Sequence, residues 1–432
     1  MLASYRRLFA VPHLPALLFW SLCARLQLGG LPIAVTFLVA GWTGSYGLAG
    51  LVAGGLTVGT AVAGPLRGRL ADRRSKARLM LTSAAVYGAG LAGLALLPAE
   101  LWWASVPLAL ATGLFQPPAT QIARSIWPRI TSGPTRQTMF AAEATLQELL
   151  FIAGPLLAAA AVALGGGRLG VAVMAVLPCL GAAGFAWSLR RAGLSEPLPA
   201  DPAGADGGPE HSAARSLLRN PQIALVLGMT ALLAVGLGAV DLTMVAWARE
   251  MGSPGFAGAL MAVYAAGSGV GGLLSGAFTG PPRPARRALG TAAGAALLVP
   301  LLPPLLHLPS PWLLTPVLFA GGLAIAPTIA AVTERLGDAA PASRRGEAYG
   351  WLASGITAGI SLAAPMTGWL IDAGGVAAGA AGAAIAAGLA ALASLGLRST
   401  AVRPEAVTPA TPAAGGPPTD APPPAGPQAK AE

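Results

Sequence analysis

Apolar runs of about twenty residues follow one another along almost the whole chain, separated by short polar or basic segments. This pattern restricts the fold more than any other feature. A spanning helix needs ~20 mostly apolar residues, because each residue rises ~1.5 Å through ~30 Å of hydrocarbon. The runs predict spans at 13–40, 46–66, 78–98, 101–123, 139–163, 168–189, 222–247, 255–279, 288–307, 312–333, 347–371 and 375–397. Backbone groups in lipid must be satisfied within their own segment, so each run is expected to be a helix. The alternation of a barrel strand is absent. With 54% hydrophobic and 10% charged residues, the chain has too little polar surface to cover a soluble globule. The first apolar run starts near Val11, is too long for a signal-peptide core, and is expected to stay as the first helix.

The formal net charge of +10 does not point to nucleic acid, because the basic residues fall in clusters between apolar runs. With the N-terminus set in the cytoplasm, all the lysines and arginines except Arg25, Arg168 and Arg249 fall on the cytoplasmic side of the twelve-span arrangement. That bias predicts a multi-pass protein of the plasma (inner) membrane with both termini cytoplasmic. Trp42, Trp102, Trp103, Trp247 and Trp312 fall at the opposite span ends, as an interfacial belt would.

The chain repeats itself. Gly113-Leu114 with Pro118 recurs as Gly322-Leu323 with Pro327, offset 209, and Gly154-Pro155 recurs as Ala364-Pro365, offset 210. Gly68 and Asp72 stand opposite Gly276 and Gly280, offset 208. Ordered matches in corresponding helices predict a duplicated unit. The expected fold is an all-α membrane protein of twelve transmembrane helices in two six-helix pseudo-symmetric bundles, 1–190 and 222–398. A polar cytoplasmic linker at 191–221 and a disordered cytoplasmic tail at 399–432 complete it. Parallel repeats of this kind place a site between the halves at mid-membrane.

The turn between spans two and three reads Gly68-Arg69-Leu70-Ala71-Asp72-Arg73-Arg74-Ser75-Lys76-Ala77-Arg78. It is similar to the G-x-L-x-D-R-x-G-R-R signature of the major facilitator superfamily, with Gly68, Leu70, Asp72, Arg73 and Lys76 in place and Ser75 where that pattern has Gly. Gly68 permits close helix packing. Asp72 is expected to cap the third helix, and Arg73 and Lys76 to hold the turn at the anionic inner surface. The resemblance, which spans residues 12–398, further implies an interhelical latch made by Asp72 and Arg73 that stabilises one access state. Gly154-Pro155 is similar to the antiporter motif of proton-coupled drug and metabolite exporters, in which Gly and Pro bend helix five. Helix four lacks the arginine those exporters carry, and Arg124 is expected at or beyond its cytoplasmic end.

Ionisable groups inside spans are costly, on the order of 2.5–3.5 kcal/mol on insertion scales, and so mark candidate function. Arg25 and Glu148 are expected at matching depths of ~15–18 Å, as an ion pair or a shared hydrated site. Glu148 and Pro155 lie seven apart on one helix face, and a carboxylate there suits a proton carrier. Asp241, opposite Pro32 at offset 209, is a candidate for a cationic substrate or a proton. Glu143 is expected to snorkel, and Glu347, beside Arg344 and Arg345, to act in a gate or in topology. The coupling or substrate cavity is thus assigned to Arg25, Glu148 and Asp241, the gating motif to Gly68, Asp72, Arg73 and Lys76, and the helix-five kink to Gly154 and Pro155.

Cys23 and Cys179 lie in apolar runs and suggest no disulfide. His13, His211 and His307 are scattered, no metal spacing or nucleotide loop appears, and no cofactor is expected. A polytopic enzyme and a non-transporting sensor fit less well than a monomeric secondary transporter whose partners are a small-molecule substrate, protons and the bilayer. Export is preferred over import of a sugar or organic ion because of Gly154-Pro155.

Overall fold

The computed structural model describes residues 2–197, 217–252, 256–277 and 284–397. Most of the 191–221 linker and the 399–432 tail lie outside them. The described secondary structure is helical: α1 (Leu2–Phe9), α2 (Leu14–Cys23), α3 (Gln27–Thr43), α4 (Tyr46–Arg73), α5 (Lys76–Leu96), α6 (Ser105–Leu114), α7 (Ala119–Ile130) and α8 (Gly133–Arg191) in the first half of the chain. The second half holds α9 (Pro221–Glu250), α10 (Phe256–Ala277), α11 (Pro284–Leu298), α12 (Thr315–Gly322), α13 (Ile325–Ala339) and α14 (Arg345–Leu395).

Among the described residues, eight helical stretches are long and apolar enough to cross a membrane. Their outward faces suit lipid: Val62, Leu96, Leu164 and Trp369 are each more than two-thirds exposed. Several helices begin at chemical signals, such as Ser45, whose hydroxyl accepts from Leu48 N–H at 3.3 Å, and Asn220, which accepts from Gln222 N–H at 3.0 Å.

The two longest helices break at matched glycines. In α8, Gly165 (φ −153°, ψ 23°) and Gly166 (φ 72°, ψ −175°) leave helical geometry, and in α14 Gly374 (φ −147°, ψ 17°) and Gly375 (φ 74°, ψ −175°) do the same. The second residue of each pair occupies a region open essentially to glycine alone. The positions are 209 apart, the offset seen in sequence. The repeat extends to side chains. Ser105 Oγ donates to the Trp102 carbonyl and Thr315 Oγ1 to the Trp312 carbonyl, in both cases where a 3₁₀ turn enters the helix. Gly113 lies against the Leu56 carbonyl and Thr60 N, and Gly322 against the Tyr264 carbonyl and Ser268 N.

Other expected spans are interrupted. Phe115 to Pro118 separates α6 from α7, and Ala24 to Leu26 separates α2 from α3. Arg67, expected beyond its span, lies within α4 and is buried. Its guanidinium donates to the carbonyls of Gln116 (2.7 Å) and Thr60 (2.6 Å), so it satisfies an oxygen freed by the break after α6 and ties that break to α4.

Away from the α4–α5 turn, the apolar core divides into one cluster from the first half (Leu31, Val35, Tyr87, Met174) and another from the second (Val240, Trp247, Tyr264, Val376). Toward the α4–α5 turn, Ala326 and Ala330 of α13 join a first-half cluster that holds Trp127 and Phe140. The halves therefore pack together at the end that carries this turn, called the motif end below.

Candidate functional site

Two seams join the halves at the motif end. In the first, α4 meets the start of α14. Asp72 accepts hydrogen bonds from the backbone N–H of Gly346 at 2.8 Å and Glu347 at 2.9 Å, the opening residues of α14. The carboxylate thus sits on the positive end of that helix. Gly68 makes this possible, because a Cβ there would strike the Gly346 carbonyl, and Gly64 and Gly350 face each other in the same way. Arg69 Nε lies 2.8 Å from Glu347 Oε1, and Arg344 Nη2 lies 2.8 Å from Glu347 Oε2. Further along, Ser354 Oγ donates to the Ala61 carbonyl at 2.5 Å.

This geometry departs from the expected latch in three ways. Asp72 caps α14 rather than the third helix: Ser75 is the N-cap of α5 and makes no side-chain capping bond. The ion pair to the second half comes from Arg69, one helical turn before the exposed Arg73. Lys76 does not reach for a lipid surface. It is buried, its Nζ donates to the Glu196 carbonyl at 3.3 Å, and Ser75 Oγ lies 2.9 Å from Ser195 Oγ.

In the second seam the first arm of α8 meets α10 and α13. Arg136 pairs with Asp338 at 3.0 Å and with Glu334 at 3.5 Å. Thr138 Oγ1 donates to the Gly276 carbonyl at 2.9 Å, and Tyr5 of α1 donates to the Leu273 carbonyl at 3.0 Å. About 15 Å further along α8, Ser268 Oγ donates to Glu148 Oε1 at 3.0 Å. The Asp241 residue of α9 is not covered by neighbouring helices, and its carboxylate lies within Coulombic range of Glu148 and of the Tyr264 phenol. Among the described residues, Glu148 and Asp241 lie deep in helices with no cationic partner, whereas Asp372, also unpaired, adjoins the Gly374-Gly375 break of α14. Glu148 and Asp241 come from opposite halves of the chain.

Arg25 does not pair with Glu148. Its Nη1 lies 2.7 Å from Glu143 Oε1, and Nη2 donates to Ser21 Oγ at 3.2 Å. Glu143 also receives Trp127 Nε1 at 2.9 Å and faces Arg124 Nε at 3.4 Å, while Arg124 Nη2 reaches Gln147 Oε1 at 3.4 Å. Glu143 is 1% exposed and does not snorkel. Arg124 is buried within this network, not at a membrane surface. The error has a physical cause. Helix five is expected from residue 139, but α8 starts at Gly133. Measured from there, Glu143 lies ~15 Å along the helix and Glu148 ~22 Å, while Arg25 lies ~17 Å from Leu14. Arg25 therefore meets Glu143.

Gly154 and Pro155 form a packing site against α3. A Cβ at Gly154 would press on Gly30 N and the Leu26 carbonyl, and one at Gly29 on the Leu150 carbonyl and Pro155 Cδ. Helical dihedrals continue through Pro155 as far as Gly165. Sequence reasoning did not single out Arg69, Arg136, Glu334, Asp338 or Ser268. Arg69 carried a signal, since it lies on the same face of α4 as Asp72, three residues away. Among the described residues, no three His, Cys, Asp or Glu side chains converge as a metal site would require.

Searched by sequence, curated proteins give no match to this chain. Solved structures match in fold. A bacterial homologue of the iron transporter ferroportin in its outward-facing state aligns with a TM-score of 0.68 at 14% identity, over 88% of this chain and 98% of that one. The human organic anion transporter MFSD10 gives 0.64 at 17%, over 90% and 99%. The E. coli fucose:proton symporter gives 0.64 at 14%, over 91% and 100%. The family model of the Major Facilitator Superfamily matches residues 17–334 and, in a second match, residues 229–427. The chain belongs to the Major Facilitator Superfamily.

Proposed function

We propose that this protein is a secondary active transporter that exports a small molecule across the plasma membrane in exchange for protons, by alternating access. In this reading twelve helices form two six-helix bundles, 1–190 and 222–398. The matched breaks at Gly165-Gly166 and Gly374-Gly375 support it, because each lets one long helix turn back and cross twice. The concentration of Lys and Arg toward the motif end supports a cytoplasmic placement of that end. With its inner seams shut the chain would face outward, the state named for the ferroportin homologue.

One observation carries the functional reading: two carboxylates without cationic partners, one from each half, lie beyond a closed inner gate. Intramembrane carboxylates of this kind mark proton or substrate sites. Glu148 is assigned the coupling proton, and Asp241 a cationic substrate or a second proton. Arg25 is withdrawn from the cavity, because Glu143 already holds it. Gly154-Pro155, packed on α3, ties the movement of helix five to helix one.

The test is proton movement in proteoliposomes that carry an internal pH dye, with a substrate panel of organic cations, organic anions and sugars. Substrate-driven proton flux that is lost in Glu148→Gln supports the assignment. Equal flux in both proteins removes Glu148. Proton entry in the same direction as the substrate would instead establish symport, and with it import.

A further inference from the structure

The seam between α8 and α10 differs from its pseudo-symmetric counterpart at one level. The position equivalent to Glu148 is Thr357 at offset 209, and the one equivalent to Ser268 is Thr60 at offset 208. Both threonines spend their hydroxyls within their own half. Thr357 donates to the Ala353 carbonyl at 3.0 Å, and Thr60 to Gln116 Oε1 at 2.8 Å. Among the described residues, only on the α8–α10 side does a titratable group bridge the halves at this depth, through the bond from Ser268 Oγ to Glu148. Ser268 is 1% exposed, so the bond is shielded from bulk water on the α10 side. One turn toward the motif end, the buried Thr145 hydroxyl sits against Gly272 without a partner. Between Glu148 and the Thr138–Gly276 bond nearer the motif end, α8 thus makes no hydrogen bond to α10 through Thr145.

We propose that Ser268 is a positioning residue that ties the charge on Glu148 to closure of the inner gate. An ionised Glu148 receives a charge-assisted hydrogen bond across the seam and holds α8 against α10. Once protonated, it keeps only a neutral hydrogen bond, about half as strong. The seam then loosens and the transporter can turn inward. The inference rests on Glu148 as proton carrier, and its direction suits exchange: a proton arriving from outside unlocks the inside. The charged and titratable groups around Glu148 are Asp241 of α9 and Tyr264 of α10 on its outer side, and Arg124 of α7, through Gln147, with Glu143 on its inner side. Glu143 holds two arginines and an indole, and so is committed elsewhere.

The test measures gate closure directly. Spin labels at Ser132→Cys and Ala342→Cys, exposed positions on opposite halves at the motif end, report the closed-to-open ratio by pulsed electron paramagnetic resonance. The background carries Cys23→Ala and Cys179→Ala, and the full chain is held in lipid nanodiscs. The closed fraction is expected to fall as pH falls, and this response should vanish in Glu148→Gln. Ser268→Ala should lower the closed-to-open ratio about tenfold at high pH but only about threefold at low pH, where the bond is half as strong, and Ser268→Thr should restore the response. A protein weakened only in its packing would instead shift equally at all pH values. A wild-type pH response retained in Ser268→Ala overturns the proposal. So does a gate that does not respond to pH, even if substrate-driven proton flux depends on Glu148; that result leaves the transport reading standing. A Ser268-dependent switch with no proton flux for any substrate supports the proposal and removes the exchange reading.

Discussion

Removing the Glu143 side chain should damage this protein more than removing any other single carboxylate. Its 1% exposed carboxylate is shared by Arg25 at 2.7 Å, Arg124 at 3.4 Å and the Trp127 indole at 2.9 Å. Glu143→Ala leaves two buried guanidinium groups and one indole N–H without their acceptor. Breaking a buried pair from one side costs about 3–5 kcal/mol, and an orphaned neutral donor about 1–3 kcal/mol. These costs overlap in space and do not add fully, so the expected loss is about 4–5 kcal/mol. Arg25→Met is milder, at about 1–3 kcal/mol, because Glu143 keeps Arg124 and Trp127. Glu143→Gln falls between them: it keeps one acceptor oxygen but loses the charge. The measurement is reversible denaturant unfolding in mixed micelles, followed by tryptophan fluorescence with Trp127 as local reporter. A Glu143→Ala protein within about 0.5 kcal/mol of wild type would refute the reasoning. So would an Arg25→Met protein less stable than Glu143→Ala, because the excess buried charge would then be negative.

Three further outcomes concern the gate. Asp72→Asn keeps one acceptor for two N–H donors and loses its charge at the start of α14. Charged hydrogen bonds contribute about 1.5–3 kcal/mol, so the closed-to-open ratio between labels at Ser132 and Ala342 should fall at least about tenfold. Gly68→Ala drives a methyl into the Gly346 carbonyl and should open the same gate, with transport slowed; normal distances would show that α4 and α14 can part without cost. Arg69→Ala should slow transport severalfold while Arg73→Ala stays within about twofold, since Arg69 holds the buried Glu347 and Arg73 is exposed; equal losses would mean that charge near the membrane, not the ion pair, matters.

Much of the fold was legible in the sequence because lipid leaves the chain few choices. A run without polar partners must be helical, so the apolar runs foretold the helices. The repeat showed through Gly113 and Gly322 because both face a neighbouring backbone that admits no Cβ. The charged partners were not legible. Arg25 was matched by depth, and depth depends on where a helix begins. Six residues of polar sequence at the start of α8, Gly133 to Thr138, were enough to exchange Glu143 for Glu148. Sequence distance also hid the second seam. Arg136 and Glu334 lie in different halves, and nothing local in either segment names the other. The expected capping role of Asp72 failed because a side chain near a turn has several helix ends within reach, and the nearest in sequence was not the nearest in space.

The duplicated architecture explains where the site lies, and the departures from duplication explain what it can do. Both seams use glycines for close approach, but differently: Gly64 and Gly68 bring the backbones of α4 and α14 together, while Gly272 and Gly276 make room for side chains, Thr145 and Ala141 of α8 and Tyr5 of α1. At the motif end each adds fixed charge, Arg69 with Glu347 on one side and Arg136 with Glu334 and Asp338 on the other. Those pairs lie at the closed end, where they can hold a state but cannot sense the other side of the membrane. Arg67 is satisfied by carbonyl oxygens, and Arg25 and Arg124 by Glu143. The deep cations are therefore already committed. What remains uncommitted is acidic and spans the halves, Glu148 on α8 and Asp241 on α9. A gate that must close again after each turnover needs one contact whose strength changes with the ligand, and by position and by lack of a fixed partner Glu148 is the group that meets this requirement.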